Sequence, residues 1–439
     1  MKRISAPELG TLPSAVSWSY FTGVIVLAHL FLLTMLSRPA LAYLDPGSGS
    51  MLVAAIVGLL ASFLFFLKGA YYQGRRVILR LFGKTTEDPT KHQLVLYSEG
   101  RQYWSTFRPL IDELARRNEQ CLYLTSDEQD PGLLYSSELV STKYIGTGTK
   151  AFAYLAVLEA DVCAMSTPGI DVLQIKRSKG VKHYTYLIHA PTDVGTYKQY
   201  SFDYFDSILL SGDHQIKSLR KLEELRGAHR KHLCKVGCLY YDEMQRQLKE
   251  FDPASVTESP MTVLVAPTWG QNGLLKRFGA RVLVPLLEKQ WKVIVRPHPQ
   301  SYISERDLLD RLQEELKNYT NLVWDHDNDG TQSMSRADVM LSDLSGIVFD
   351  FAFLFERPVI TVKYDVNKIG LEASDLPWDL WELTVLDTLG TRIEESELEK
   401  LPTVIEQELG KNDRKEKIRQ LRDESVANFD HAAKDVVNE

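Results

Sequence analysis

Cysteine is scarce in this chain, with four residues in 439. They lie too far apart to read as a disulfide framework, and the usage fits a reducing compartment. Cys121 and Cys163 fall in apolar, strand-like stretches and read as buried thiols. Cys234 and Cys238 stand closer together, with His229 and His232 just upstream. A Cys-x3-Cys pair with no second Cys/His pair at finger spacing does not define a structural zinc site, so no metal is expected. Positive charge is also short. The net charge is −7 and no long basic run occurs, which excludes a general nucleic-acid binder. The stretch Asp325-His326-Asp327-Asn328-Asp329 lacks the ligand register and closing glutamate of an EF-hand loop, and reads as an exposed loop.

The chain does have length and two long apolar runs. Its 439 residues suggest two or three domains, and 44% hydrophobic with 25% charged residues is ordinary for a globular body. Lys2 and Arg3 precede a run from Ala15 to Leu36 whose only titratable residue is His29. A second run spans Met51 to Leu67, after a turn rich in proline and glycine. Lys68, Arg75, Arg76, Arg80 and Lys84 follow, with no acidic residue before Glu87. The positive-inside rule then gives a transmembrane helical hairpin in residues 1–85, with membrane lipid as a partner and the body in the cytoplasm. Two other readings stay open. Ala40-Leu41-Ala42 resembles a signal-cleavage site, which would leave a single anchor, and both runs could instead be core helices.

From residue 86 strands and helices alternate, the pattern of an α/β fold. Gln93–Tyr97, Cys121–Leu124, Asp161–Met165, Lys182–Ile188 and Ser207–Leu210 read as strands, and Tyr103–Arg117 and Gln215–Leu225 as helices. Loops at the carboxyl ends of such strands line a ligand crevice. Ser98 and His189 occupy such loops. A histidine placed there can act as a general base, although a merely hydrogen-bonded loop histidine is the alternative.

Residues 251–261 are polar and carry prolines, and read as a linker between domains 86–255 and 256–393. In the second domain, Thr262–Ala266 is a strand followed by a loop containing Thr268, Trp269 and Gly270. Arg281–Lys289 reads as a helix. Trp291–Val295 is a strand that ends in Arg296-Pro297-His298-Pro299, where two prolines hold an arginine and a histidine at fixed positions. Both side chains can donate to phosphate oxygens. Ser304–Lys317 reads as a helix with Ser304 as its N-cap. Val339–Leu341 is a strand, Asp343-Leu344-Ser345-Gly346 a turn, Ile347–Phe355 a buried helix and Val359–Val362 a returning strand. A strand that runs into Ser-Gly at a helix start presents backbone N–H groups to an anion. A simple helix cap is the alternative. Residues 394–439 form a charged helical tail, either folded back across the cleft or solvated.

The segments APTWG, RPHP and SDLSGIVFDFAFLFERPVI, in that order, resemble the CDP-glycerol glycerophosphotransferase family of teichoic-acid-type polymer synthesis. The resemblance implies a GT-B-like pair of Rossmann-like domains with parallel sheets. It implies an acceptor side at 86–255 and a nucleotide-donor side at 256–393. Arg296, His298, Asp343, Ser345 and Gly346 would bind the donor pyrophosphate. His189, in LIHAPTDVG, aligns with the family's catalytic histidine, and His298 would share the chemistry. Ser98, Thr268, Trp269 and Gly270 would line the cleft. The implied donor is a CDP-alcohol and the implied acceptor a lipid-linked or glycan hydroxyl, with no cofactor, at the inner membrane of a bacterium. The sequence departs from the family where Ile188 and Ala190 replace Trp and Gly, and where Gly346 replaces a second serine. A nucleotide-sugar donor, or a membrane scaffold that binds nucleotide without turnover, are the alternative functions.

Overall fold

Two parallel sheets organise the chain. The computed structural model describes residues 91–250, 260–327 and 330–439. The apolar runs at 15–36 and 51–67, the basic flank and most of the linker lie outside these residues. Among the described residues, no helix is long and apolar enough to cross a membrane.

The first sheet has seven strands: β1 (His92–Ser98), β2 (Cys121–Thr125), β3 (Val140–Tyr144), β4 (Glu159–Met165), β5 (Gly180–Leu187), β6 (Ser207–Leu210) and β7 (His232–Lys235). Their order is β3-β2-β1-β4-β5-β6-β7. Val95 pairs with both Leu122 of β2 and Cys163 of β4, so β1 is central and parallel to each. The inner strands are near-continuous apolar runs because helices cover both faces of the sheet. The second sheet has six strands: β8 (Thr262–Val265), β9 (Lys292–Val295), β10 (Leu322–Trp324), β11 (Val339–Ser342), β12 (Val359–Val362) and β13 (Gly390–Ile393), in the order β10-β9-β8-β11-β12-β13. Each sheet therefore reverses its winding once, between β1 and β4 and between β8 and β11. A ligand crevice is expected beyond the strand ends at such a point.

Several helix boundaries differ from the sequence expectations. The helix expected over Ser304–Lys317 starts at Arg306, with Glu305 at its N-cap. Ser304 instead closes the short turn Ser301–Ser304, its hydroxyl donating to Gln300 O. Arg281–Lys289 splits into a 3-10 turn, Gly279–Val282, and a helix, Val284–Glu288. Pro285 has no N–H for an inner turn, and it sits in the first turn of the second helix, where none is needed. Asp325 does not belong to an exposed loop: it is buried and pairs with Arg296.

The tail folds back onto both sheets' helical layers. Ile418 and Leu421 of the helix Arg414–Ser425 share a core with Phe349 and Phe353. Ala433 and Val436 of the helix Ala432–Asn438 pack with Leu96 and Phe107 of the first domain. The carboxylate of Asp242 accepts the N–H groups of Ala432 at 3.0 Å and Ala433 at 2.8 Å, which are first-turn donors with no partner inside their helix.

Candidate active site

The turn after β11 holds the loops at the carboxyl edge of the second sheet together. Ser342 donates to Ala266 O at 2.6 Å, which ties the end of β11 to the end of β8. Asp343 is buried, and its carboxylate accepts from Thr268 N at 2.9 Å and Leu274 N at 2.8 Å. It shapes the Thr268–Leu274 loop, so the sequence expectation that it would contact pyrophosphate does not match its placement. A carboxylate there would also repel a phosphate. Burial pushes its carboxyl up to about 6 against the pull of those N–H donors.

Ser345 and Gly346 stand at the start of the nine-residue helix Ile347–Phe355. Gly346 is its N-cap, exposed, with no side-chain cap. Ser345 N is spent on Asp343 O at 3.0 Å, while Val348 N and Phe349 N turn back to Ser345 O and Gly346 O. The free N–H groups at the helix start are thus those of Gly346 and Ile347, at the positive end of the helix dipole.

Beside it, β9 ends in Arg296–Pro299. His298 Nδ1 accepts the backbone N–H of Gln300 at 3.1 Å. That fixes the neutral ring with its proton on Nε2, so Nε2 is a donor. Burial lowers its pKa, opposed by Glu305. Trp269 is 46% exposed, unusual for so large a ring, and its ring centroid is 6.4 Å from that of His298. The N–H of Gly270 donates to Glu305 Oε1 at 3.1 Å, and Gly270 holds φ +88°, which favours glycine. Arg296 is not a free phosphate ligand. Its Nη1 lies 2.7 Å from Asp325 Oδ2, which also accepts from Ser333 at 2.6 Å. It backs the site from a buried ion pair.

On the first sheet, β5 delivers His189. Its ring is edge-on to Tyr103 at 5.1 Å and Tyr197 at 6.2 Å. Its Nδ1 is buried without a hydrogen-bond partner. Burial pushes the imidazole down to about 4, so it is neutral at pH 7 and able to take a proton. Ser98 does not reach the cleft surface. It is fully buried and donates to Gly100 O at 2.9 Å, which shapes the loop whose Glu99, Arg101 and Gln102 are exposed.

The loop after His189 docks on the second domain. His214 Nε2 is 2.8 Å from Pro191 O, and its ring stacks on Trp381 at 4.1 Å and 21°. Trp381 in turn stacks on Phe349 at 5.3 Å and 23°. The His189 loop is thus linked by packed rings to the helix that begins at Gly346. Trp381 escapes a sequence reading because the helix Trp381–Leu389 carries no motif.

Comparisons with known proteins agree with this geometry. Residues 173–374 match the family CDP-glycerol:poly(glycerophosphate) glycerophosphotransferase, a span that takes in His189, Arg296–Pro299 and Asp343–Gly346. No curated protein matches the chain by sequence. Among solved structures, the wall teichoic acid polymerase TagF is 15% identical with a TM-score of 0.53, covering 87% of this chain and 96% of TagF. A TagF variant soaked with CDPG is also 15% identical, with a TM-score of 0.52 over 85% of this chain and 96% of that one. The UDP-GlcNAc 2-epimerase of Methanocaldococcus jannaschii, in complex with UDP-GlcNAc and UDP, is 13% identical with a TM-score of 0.53, over 79% of this chain and 98% of that one. These structural likenesses establish the GT-B-like fold, and the family match over residues 173–374, a little under half of the chain, supports a CDP-glycerol glycerophosphotransferase-like transferase.

Proposed function

We propose that the chain transfers glycerol phosphate, or a related alditol phosphate, from a CDP-activated donor to a hydroxyl of a cell-envelope glycan or lipid-linked acceptor. It would act at the cytoplasmic face of a bacterial inner membrane, anchored through residues 1–85. One observation carries the reading. The family span holds both a neutral histidine at the carboxyl edge of the first sheet and a phosphate-ready helix start at the carboxyl edge of the second.

The acceptor hydroxyl oxygen attacks the distal phosphorus of the donor. A new P–O bond forms, the bond from that phosphorus to the bridging oxygen breaks, and CMP leaves. His189 takes the hydroxyl proton. His298 Nε2–H and the N–H groups of Gly346 and Ile347 donate to the phosphate oxygens, where negative charge builds on the leaving group. Ser345 adds a hydroxyl donor at the same helix start. Trp269, exposed beside His298, offers a face for the cytosine ring. A base of this kind supplies about 10²–10⁴ in rate, and donors preset on the leaving group a comparable factor.

The test uses the full-length chain in membranes with CDP-glycerol labelled in glycerol and phosphorus. Incorporation of both labels with release of CMP supports the proposal. Incorporation of a sugar without phosphate from a UDP-sugar would favour the glycosyltransferase alternative. Tight CDP-glycerol binding without turnover would favour the scaffold. Loss of the protein from the membrane fraction after washing with carbonate would remove the anchoring part.

A further inference from the structure

A cavity of about 590 Å³ opens on the first domain beyond the ends of β1 and β2. That is within the usual size of a small-molecule site. One turn of chain connects it to the reacting histidine. The 3-10 turn Arg101–Tyr103 begins in the cavity wall and ends with Tyr103, whose ring packs against His189 at 5.1 Å. Glu99, the residue before Gly100, spans the winding reversal and accepts from Thr167 Oγ1 of the loop after β4 at 3.4 Å.

The lining is polar and mostly acidic. Glu99, Asp127 and Glu128 face the cavity with a single cation, Arg101. Arg101 is already committed to Asp127 through two contacts, at 2.5 and 2.9 Å, and to Gln129 Oε1 at 2.6 Å. The lining therefore carries a formal charge of −2, with Glu99 and Glu128 left without a basic partner in the lining. Gln102 and Gln129 add amides, and Tyr144 adds a ring. Carboxylates, amides and an aromatic ring bind neutral hydroxyl groups well. The same carboxylates repel phosphodiesters, because like charges set against one another cost affinity.

We infer that this cavity is the acceptor subsite, and that it takes a neutral, hydroxyl-rich glycan or polyol rather than a chain of glycerol phosphates. The inference rests on the transferase reading above. It makes the enzyme one that adds to an uncharged acceptor and does not re-engage its own anionic product. The donor side shows the opposite chemistry, a helix start and a histidine donor, so the two ligands of the reaction are sorted by charge across the cleft.

The experiment uses the full-length protein with CDP-glycerol and two acceptors, octyl β-lactoside and a synthetic octyl-linked tri(glycerol phosphate). Binding of each acceptor is also measured without donor, by saturation-transfer NMR. The expected result is binding and CMP release with the lactoside and neither with the phosphate oligomer. Glu99→Lys and Glu128→Lys, both at exposed positions, should raise the lactoside KM by about tenfold and admit the oligomer. Equal or better binding of the oligomer by the unsubstituted protein overturns the inference. So does a change in the KM for CDP-glycerol with no change for the acceptor. Absence of CMP release with any acceptor overturns the transferase reading instead, while the NMR comparison still decides the subsite.

Discussion

The backbone N–H of Asp193, four residues past His189, donates to Oε1 of Glu382 at 2.8 Å. Both side chains are buried. Asp193 satisfies its own oxygens with Val194 N at 2.8 Å and Ser218 Oγ at 2.6 Å. Glu382 Oε2 has no partner. Burial first, and the nearby Asp193 second, push the Glu382 carboxyl up to about 8. The loop that carries His189 is therefore held to the second domain by a neutral acid at pH 7.

That shift has a consequence for stability. A carboxyl whose pKa is raised by folding contributes stability that is fully present below its unfolded value near 4.5 and lost as pH rises through about 8. Glu382→Gln keeps the acceptor oxygen and removes the titration. Its Tm relative to the unsubstituted protein should climb between about pH 4.5 and about 8 and level off above, by an amount worth on the order of 1–3 kcal/mol. A Tm difference that stays flat over this range would mean the carboxyl does not titrate there.

His189 gives a pH signature of its own. With its imidazole pushed down to about 4, the acid limb of kcat/KM should fall near pH 4, well below a free histidine. His189→Ala should lower kcat by about 10²–10⁴-fold and abolish that limb. Full transfer by the alanine variant would remove His189 from the proton transfer.

Asp343→Asn tests the loop that frames the donor. An amide oxygen can still accept one N–H, but its NH₂ must face the other, from Thr268 or Leu274. The variant should lose about 1–3 kcal/mol by chemical denaturation and show a higher KM for CDP-glycerol. A stability loss with an unchanged donor KM would show that the loop does not frame the donor.

Gly346→Ser should improve the helix start. Gly346 has an ordinary helical φ of −57° and open space around the position of a Cβ. A serine there adds a capping oxygen worth a few tenths of a kcal/mol, and a hydroxyl facing the phosphate site. The Tm should rise slightly and the donor KM should fall or hold. A higher donor KM would show that the close approach of backbone, not the missing hydroxyl, is what this position supplies.

Much of the second domain was legible in the sequence. The strand at Val339, the helix over Ile347–Phe355 and the strand over Val359–Val362 stand where apolar runs and turn residues placed them. The edge strands β3, β7 and β13 were not legible, since they are short and largely polar or mixed. Nor were the buried roles of Ser98 and Asp343, because a polar residue in a loop gives the same local signal whether it faces a ligand or braces backbone.

The sequence by itself determined the inner strands and the longer helices, the stiff Arg296–Pro299 loop, and the position of His189 just past a buried strand. Each of these follows from local periodicity and backbone chemistry. The tertiary structure alone decided which side chains face the cleft. Arg296 turned to Asp325, Asp343 reached Thr268 across 75 residues, and Asp193 met Glu382 across 189. Such pairs form only when two sheets bring distant loops together, and the burial that shifts their protons exists only then. The acidic cavity of the first domain likewise collects loops from three strand ends, and no single stretch of the chain announces it.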